Sequence, residues 1–457
     1  MEMITDTVKH IENAKEKIKP THYRFVMLFL ITFILTISTA DRATLSVAGV
    51  SMSKDLGFSA LDMGYLFSAF SWAYVCMQVP SGWLGDKFGA KITIFTGLAV
   101  WSVVTLLMGS VHMFAYAFAL MLILRFLLGI FESPVGPSCG KVLAAWFPST
   151  ERGVAGSIYN AAQYFSLALF TPLMGWLTYR FSWHFVYIVM GCIGIIAAFM
   201  WYKLFYVPRK HPKANTAEIN LIEQGGGLVD MDMNLGKTEK KKRTASWSDI
   251  KQIFSSRMLV GIFIAQYCIC AITWFYLSWF PIYLVKARGL SILHAGFIAS
   301  IPAIAGCIGG VSAGFVSDWI LRKTGSLSLA RKIPITIGFS LAASMVICNY
   351  VDSTTAVIFV MSMAFFGKGF GNLGWTVVAD TAPKKIVGIT GGIFNSMGQA
   401  SGIITPVVIG WILQATGSFN GALAYISVHG IIVILAYWII VGKIQRFTLK
   451  EERVKEI

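Results

Sequence analysis

Long apolar runs, separated by short polar segments, extend along nearly the whole chain of 457 residues. A helix needs about 20 predominantly apolar residues to cross the hydrocarbon core of a bilayer, and twelve of the runs are long enough. They predict membrane-spanning helices at residues 22–48, 61–84, 91–110, 113–138, 152–178, 184–206, 257–285, 292–320, 332–350, 354–379, 386–413 and 420–442. The pattern therefore predicts an all-α membrane protein with twelve transmembrane helices.

A polar stretch at residues 207–256 divides the predicted spans into two sets of six. It contains three consecutive glycines at 225–227 and the basic run Lys240–Arg243. We interpret it as a cytoplasmic linker, with room for a short amphipathic helix on the membrane surface. The chain then consists of an N-terminal tail (1–21), two six-helix bundles (22–206 and 257–442), this linker, and a C-terminal tail (443–457).

The two halves repeat each other in sequence. The segment GWLGDKFGAK at 82–91 resembles GFVSDWILRKTG at 314–325, and each lies between the second and third spans of its half. The pattern Asn then Thr-Pro within 158–172 recurs within 393–406. Halves repeated in the same direction imply pseudo-symmetric bundles, related by an axis along the membrane normal, with a site between them at mid-depth.

Composition and charge agree with a membrane location. Hydrophobic residues make up 56% of the chain and charged residues 13%, whereas soluble proteins carry about 25% charged residues. Of 38 Lys and Arg residues, those predicted to face outward are only Lys54, Arg180, Lys286 and Arg288. This bias predicts cytoplasmic termini and a multi-pass protein of the cell (inner) membrane. The net charge of +16 lies in loops without a basic-aromatic module, so the predicted partner is the lipid bilayer and not nucleic acid.

Five charged residues interrupt the apolar runs: Asp41, Arg42, Arg125, Glu132 and Lys368. A charge at bilayer depth costs about 3 kcal/mol or more, so it normally faces a cavity or a partner and marks a substrate or ion path. Two carboxylates with three cations suit a protein that moves an organic anion together with protons.

Helix geometry limits which of these charges can meet. Asp41 and Arg42 are adjacent and point about 100° apart, so one can face a cavity while the other reaches a neighbouring helix. Arg125 and Glu132 lie two turns apart on one face, about 10 Å along the axis, which is too far for a tight pair within the helix. The partner of Glu132 is then Arg42 or a substrate hydroxyl. Permanent structural ion pairing of Glu132 or Asp41 remains the alternative.

Lys368 lies between Gly367 and Gly369, where small neighbours are expected to leave room for a ligand. A six-carbon diacid carries carboxylates at both ends, and Arg42 and Lys368 from opposite halves could each bind one. A monoacid would leave one cation unpaired, which is costly in a medium of low dielectric constant. Pairing of Lys368 with a protein carboxylate, or its extension toward the cytoplasm, is the alternative.

Other chemistries find little support. The seven cysteines are scattered and indicate free thiols. We predict no metal site and no cofactor, because the sequence lacks a metal-ligand histidine pair and a phosphate-binding glycine loop. The segment GVSAG at 310–314 resembles a nucleophile elbow, but it lies within an apolar helix with no strand before it. We therefore predict that the protein is not an enzyme.

The segment 82–91 resembles the loop motif of the major facilitator superfamily, and the chain resembles that superfamily over essentially its whole length. In the family, the aspartate and basic residues of this motif bridge helices on the cytoplasmic side. The resemblance implies a gating role for Gly82, Asp86, Lys87, Gly89, Lys91, Asp318 and Arg322.

Local segments resemble narrower groups. DRATLS at 41–46, RFLLGIFESP at 125–134 and AWFP at 145–148 are similar to the anion:cation symporter branch. FSAFSWAY at 67–74 and AFFGKGFG at 364–371 are similar to bacterial glucarate/galactarate transporters, with hexuronate and aldonate carriers as relatives.

This resemblance implies a proton-coupled importer of a sugar acid anion, most closely an aldarate (glucarate/galactarate), that works by alternating access. It implies that Asp41 and Glu132 carry protons. The positions that match substrate contacts are Arg42, Tyr74, Arg125, Gln163, Lys368, Trp375 and Asn395. A monomer is the default for the fold.

Three other functions remain open. A symporter of a hexuronate or aldonate monoacid would use the same site. A metabolite or drug antiporter fits less well, because exporters of cationic drugs favour an acidic cavity. A sugar-acid sensor without transport would usually carry a soluble output domain larger than the segment 207–256.

Overall fold

The computed structural model describes residues 19–232, 247–383 and 386–449. The basic run Lys240–Arg243 and most of both tails lie outside the described residues. Within them the chain is helical, and no strand is found. The helices of the N-terminal half, with the helix that follows them, are α1 Tyr23–Leu56, α2 Ala60–Met108, α3 Ala117–Glu132, α4 Val135–Trp146, α5 Ser149–Arg180, α6 Trp183–Leu204 and α7 Thr216–Gln224.

The C-terminal half is built in the same way. Its helices are α8 Trp247–Ser255, α9 Arg257–Trp274, α10 Phe280–Lys286, α11 Ile292–Thr324, α12 Leu327–Ala343, α13 Thr354–Gly369, α14 Leu373–Thr381, α15 Val387–Thr416 and α16 Asn420–Leu435. Helix occupies each of the twelve predicted spans. By length and composition, ten helices of the described chain can cross a membrane. The predicted spans 61–84 and 152–178 are helical but are not among those ten.

Local sequence explains where several helices begin and bend. α1 continues past its expected end to Leu56, where Gly57 adopts a left-handed conformation (φ 69°) and stops it. Ser59 and Asp62 form a capping box that starts α2. The second and third predicted spans both lie within α2 and are separated by a kink at Gly89, whose backbone is not helical (φ 76°, ψ 161°). That backbone conformation favours glycine, so the loop motif is a sharp bend and not a long loop.

Two wider π turns continue the helices at their ends. One covers Phe275–Trp279 between α9 and α10, and the other covers Ala436–Val441 after α16. π turns inside helices are rare and occur frequently at functional sites.

The two halves meet on one side of the membrane. We call the side with the start of α1 and residues 443–449 the terminal face, and the opposite side, with the turns 57–59 and 417–419, the far face. Toward the far face, Ser46 Oγ donates to Ser278 O (2.7 Å) and Ser68 Oγ donates to Ile403 O (2.7 Å). The Leu61 N–H donates to Gln414 at the far end of α2. Nearer the terminal face than the bond from the Tyr164 hydroxyl to Asn372 Oδ1 (3.5 Å), no hydrogen bond or ion pair between described residues joins the halves.

The segment that follows α6 is folded against the N-terminal half. Glu218 of α7 is fully buried and accepts a hydrogen bond from the Arg24 N–H (3.1 Å). Arg24 in turn pairs with Glu151 (2.9 Å). Asp232 accepts from the Ala90 N–H (2.7 Å) at the bend of α2. This part of the predicted linker is therefore a structural part of the first bundle.

Candidate functional site

The charged residues within the spans cluster near the middle of their helices. Arg42 lies midway along α1, Glu132 ends α3 at the junction with α4, and Lys368 lies near the end of α13, midway along its span. Asp41, Arg125, Glu132 and Lys368 are buried. The site therefore lies at mid-depth, as a pocket between repeated bundles requires.

Arg42 and Glu132 form the centre of the N-terminal part of the site. Arg42 places its Nη2 2.6 Å and its Nε 2.7 Å from Glu132 Oε1. Ser38, one turn before Arg42, donates its hydroxyl to the same oxygen at 2.6 Å. Glu132 Oε2 is buried and has no partner among the residues that the structure describes. One carboxylate oxygen is thus saturated while the other is left to accept a proton or a further donor.

Aromatic rings support the two arginines. The Arg42 guanidinium carbon lies 5.1 Å from the centre of the Phe70 ring and 5.2 Å from that of Tyr74. Arg125 lies 5.6 Å from the same Phe70 ring and donates its Nε to Leu66 O (3.2 Å). Leu66, Phe70 and Tyr74 follow each other at four-residue intervals and so share one face of α2. Ring faces attract cations without neutralising them, so both guanidinium groups can still bind an anion.

A glycine brings these groups together. Gly129 lies on the face of α3 that carries Arg125 and Glu132, at helical spacing. A Cβ at Gly129 would come within 2.4 Å of Phe70 O. Only glycine therefore allows α3 to approach α2 so closely.

Asp41 points to a different helix from Arg42. Its Oδ2 accepts a hydrogen bond from Trp101 Nε1 of α2 (2.8 Å). Its Oδ1 is buried and has no partner among the described residues. Asp41 forms no ion pair within them, so its carboxyl is a separate group that can hold a proton.

Lys368 is the cation of the C-terminal part. Its exposed fraction is 8%, and no carboxylate of the described chain lies within ion-pairing distance. Nζ lies 5.3 Å from the ring centre of Phe365 and 5.5 Å from that of Tyr164 on α5. The Tyr164 hydroxyl also donates a hydrogen bond to Asn372 Oδ1 (3.5 Å). Lys368 thus sits where the two halves meet.

The glycines that flank Lys368 do not leave space for a ligand, and this expectation was wrong. A Cβ on Gly367 would lie 2.1 Å from Gly338 O, and one on Gly369 would lie 2.5 Å from Gly310 N. Both positions are filled by the backbones of α12 and α11. The glycines serve close helix packing, which fixes α13 and with it the position of Lys368.

Three polar or aromatic positions predicted as substrate contacts are accessible. Gln163 is exposed and Asn395 is half-buried, and neither side-chain amide has a hydrogen-bond partner within the described chain. Trp375 is 51% exposed and packs edge-on against Phe394, with ring centres 4.9 Å apart. Gln163 adjoins Tyr164, the residue that contacts Lys368.

The route from the site toward the far face is closed. An enclosed cavity of about 10 Å³ lies between the halves, lined mainly by apolar side chains including Ala43, Tyr276, Pro302 and Phe365. That is about the space of one water molecule. The hydrogen bonds of Ser46, Ser68 and Leu61 join the halves on the same side.

The loop-motif residues contact their own half. Asp86 pairs with Lys141 of α4. Lys87 lies over the Trp83 ring at 4.7 Å, and Lys91 lies over the Tyr206 ring at 4.5 Å. A Cβ on Gly82 would meet no atom within 4 Å.

In the second copy of the motif, the Arg322 Nε lies 3.4 Å from Asp318 O. The structure adds a pair that sequence reasoning missed, Arg331 with Asp380 (3.0 Å). In the conformation described, the motif residues form no hydrogen bond or ion pair with the opposite half within the described chain.

Sequence reasoning also missed Ser38, Trp101, Phe70 and Tyr164. Ser38 had a signal, because it lies one turn from Arg42 on the same face. Trp101 had another, since an indole N–H inside a span needs an acceptor. No spacing could assign Phe70 or Tyr164 to a particular cation.

No group of three or more His, Cys, Asp or Glu residues in the described chain could hold a metal ion. The geometry instead provides two arginines from the N-terminal half and one lysine from the C-terminal half, all beside aromatic rings, and two buried carboxyls. This arrangement can bind an anion and hold protons.

Comparisons with known proteins agree. The Major Facilitator Superfamily pattern matches residues 31–406. The chain is 51% identical to the probable galactarate/D-glucarate transporter GudP of Bacillus subtilis, over 95% of each chain. It is 38% identical to the D-galactonate transporter of Escherichia coli O6:H1, over 94% of this chain and 98% of that one.

Among solved structures, the D-xylose–proton symporter aligns with a TM-score of 0.69 at 15% identity, covering 94% of this chain and 100% of that one. At this identity the likeness shows the fold alone. The family match and the close relatives together show that the chain belongs to the Major Facilitator Superfamily and is a multi-pass membrane transporter rather than an enzyme.

Proposed function

We propose that the chain imports a sugar diacid of the galactarate/D-glucarate class together with protons. The names of its relatives support the substrate class. We further propose that the protein works as a monomer in the cell (inner) membrane, with the terminal face in the cytoplasm. The two bundles, 22–206 and 257–442, would then rock about the mid-depth site.

The observation that carries this proposal is the position of Lys368. It is a buried cation without a carboxylate partner in the described chain, and it contacts Tyr164 of the opposite half. The first half contributes Arg42 and Arg125 at similar depth. Cations on both sides of one site suit a ligand with a carboxylate at each end.

Proton coupling follows from competition for Arg42. The guanidinium is held by Glu132, so a substrate carboxylate can bind it fully only when Glu132 becomes neutral. Protonation of Glu132 would remove this competition and supply a hydrogen-bond donor to the substrate. Asp41, which lies beside Arg42 in the chain and is bonded to Trp101, would hold a second proton.

The remaining predicted positions have supporting roles in this proposal. Gln163 and Asn395 would donate to or accept from sugar hydroxyls, while Tyr74 and Trp375 would form aromatic walls. Gly82, Asp86, Lys87, Gly89, Lys91, Asp318 and Arg322 would join the halves at the terminal face when the far face opens.

The test is uptake by the purified protein in liposomes with an imposed pH gradient. We expect labelled galactarate or glucarate to accumulate only when the outside is acidic, and each diacid to compete better than galactonate or glucuronate. Accumulation without dependence on the gradient would remove the coupling. Stronger competition by galactonate would favour the monoacid alternative, which the 38% identity to the D-galactonate transporter supports.

A further inference from the structure

A second charged cavity lies away from the central site. It is formed where α9 begins, at Ser256 to Met258, and where the π turn after α16 ends, at Ile439 to Gly442. Lys443 and residues 445–448 complete its wall. Its volume is about 350 Å³. This place is on the terminal face, at the level where two membrane helices leave the hydrocarbon.

The cavity is lined by cations and by no carboxylate. The cations are Arg257, Lys443 and Arg446. Arg257 uses Nη2 to donate to Ile439 O (2.9 Å). Arg446 donates from Nη1 and Nη2 to backbone carbonyl groups at the end of α14. Lys443 is exposed, and no residue of the described chain forms an ion pair with it.

The backbone adds to this positive potential. Ser256 caps α9 by accepting from the Leu259 N–H, which leaves the N–H groups of Arg257 and Met258 in the first turn without helical partners. The start of a helix attracts anions through these groups and the helix dipole. Gly442, with φ 62°, turns the chain away from the π turn just before Lys443.

The surroundings are typical of a membrane interface. Next to the cavity, Ile439 is 60% exposed, and Trp438 is also exposed. The neighbouring helix α8 is short and exposes Trp247 and Phe254 while Ile253 is buried. Exposed tryptophans beside basic residues occur where protein meets lipid headgroups.

We propose that this cavity binds a phosphate-bearing anion, supplied either by the headgroup of an anionic phospholipid or by a soluble phosphate compound. Arg257 and Lys443 bind the phosphate oxygens, and the first turn of α9 faces it. Arg446 keeps the tail against α14, so that occupancy joins the start of α9 to the end of the last span. The proposal is independent of the transported substrate.

The experiment uses the purified full chain in neutral detergent, with saturable binding of phosphatidylglycerol measured against phosphatidylcholine. Inorganic phosphate and glycerol phosphate are added as soluble competitors. The test variant is Arg257→Gln with Lys443→Gln. The matched control, Lys210→Gln with Lys323→Gln, removes the same charge from exposed positions of the same face.

We expect the wild-type chain to prefer phosphatidylglycerol and the test variant to bind it at least about tenfold more weakly, since hydrogen bonds to charged groups are lost. The control should lose clearly less affinity than the test variant, because Lys210 and Lys323 do not line the cavity. If inorganic phosphate or glycerol phosphate competes with phosphatidylglycerol, the ligand is a soluble phosphate compound. If neither competes, the ligand is a lipid headgroup. Both outcomes support the site.

Equal losses in the test and control variants would overturn the proposal, because binding would then be general attraction to a basic surface. A wild-type chain with no preference for anionic lipid and no response to phosphate would also overturn it. If the double variant fails to fold, Lys443→Gln alone decides, because Lys443 has no side-chain contact that the fold requires within the described chain.

Discussion

Arg42 directs two nitrogens to a single oxygen of Glu132, at 2.6 and 2.7 Å, and leaves the other carboxylate oxygen without a partner in the described chain. A symmetrical two-oxygen pair would be the expected geometry for a purely structural contact between these groups. The one-sided contact instead leaves Glu132 Oε2 open to a proton. This relationship leads directly to the first prediction.

Glu132→Gln should separate binding from coupling. Glutamine keeps an oxygen for Ser38 and Arg42 but cannot exchange a proton. We expect exchange of labelled diacid across liposomes to continue while accumulation driven by a pH gradient falls to the equilibrium ratio. Glu151→Gln, which removes a carboxylate that pairs with Arg24 outside the site, is the control and should keep accumulation. Uphill transport by Glu132→Gln would exclude the coupling role.

Lys368→Asn should selectively weaken the binding of diacids. Loss of a charged hydrogen bond is expected to reduce galactarate affinity by about tenfold to hundredfold, while a monoacid that needs only Arg42 should be little affected. Lys332→Asn is the matched control, because Lys332 is also buried in the second half but lies over the Trp438 ring. Competition assays measure both affinities. Equal losses for diacid and monoacid would contradict the two-carboxylate argument.

Gly129→Ala should disturb the site through packing. The added methyl group would meet Phe70 O at 2.4 Å, so α3 must move away from α2 and carry Arg125 and Glu132 with it. We expect the free energy of unfolding to fall by about 1–3 kcal/mol and transport to be strongly reduced. Gly140→Ala in α4, where nothing lies within 4 Å, should be neutral or gain about 0.5–1 kcal/mol. Similar behaviour of the two variants would show that the close approach is unimportant.

Ser46→Ala should favour opening of the far face. It removes the hydrogen bond from α1 to Ser278 O in the π turn, a contact between the halves. The lost bond of about 1 kcal/mol corresponds to a shift of about fivefold in the ratio of the two conformations. Paired spin labels on the far-face turns at 57–59 and 417–419 would measure it. Ser300→Ala, which alters a half-buried serine whose hydroxyl donates to Phe297 O within α11, should leave the distances unchanged.

The contact of Asp232 with the bend at Gly89 should depend on pH. Burial raises the pKa of Asp232 above its ordinary value of 3.8, although the Ala90 N–H opposes this. Because the docked carboxyl binds its proton more tightly than the undocked one, docking should strengthen as the pH falls from neutral toward about 4 and weaken as it rises. Hydrogen exchange at Ala90, corrected for its intrinsic pH dependence, measures this. Asp232→Asn keeps an oxygen that can accept from the Ala90 N–H, and it should abolish the pH dependence of exchange. If the pH dependence survived in this variant, another titratable group would be responsible.

The sequence predicted the helical membrane fold and the charges within the spans because both have strong local signals. Helix geometry also predicted that Asp41 and Arg42 would diverge, and the structure directs Asp41 to Trp101 and Arg42 to Glu132. The sequence left the partner of Glu132 open, since residues 42 and 132 are brought together only by packing of α1 on α3. The close packing of α3 on α2, which depends on Gly129, is likewise visible only in three dimensions.

Other features lay beyond local reasoning. Glycine beside Lys368 is compatible both with ligand space and with helix contact, and only the positions of Gly338 and Gly310 decide for contact. The sequence placed the segment 82–91 between two spans, but the kink at Gly89 is visible only in the backbone angles. Glu218 of α7 docks on Arg24, which lies 194 positions earlier in the chain. No periodicity in the sequence reveals such a contact.

Glu132 also resembles, in chemical terms, one end of the proposed cargo. In the conformation described, its carboxylate occupies the place on Arg42 that a diacid would claim, while the rings of Tyr164 and Phe365 lie beside Lys368. An unloaded protein could therefore make its return stroke without exposing a bare guanidinium. Since that stand-in works only when Glu132 is ionised, Glu132 would carry no proton across on an empty carrier.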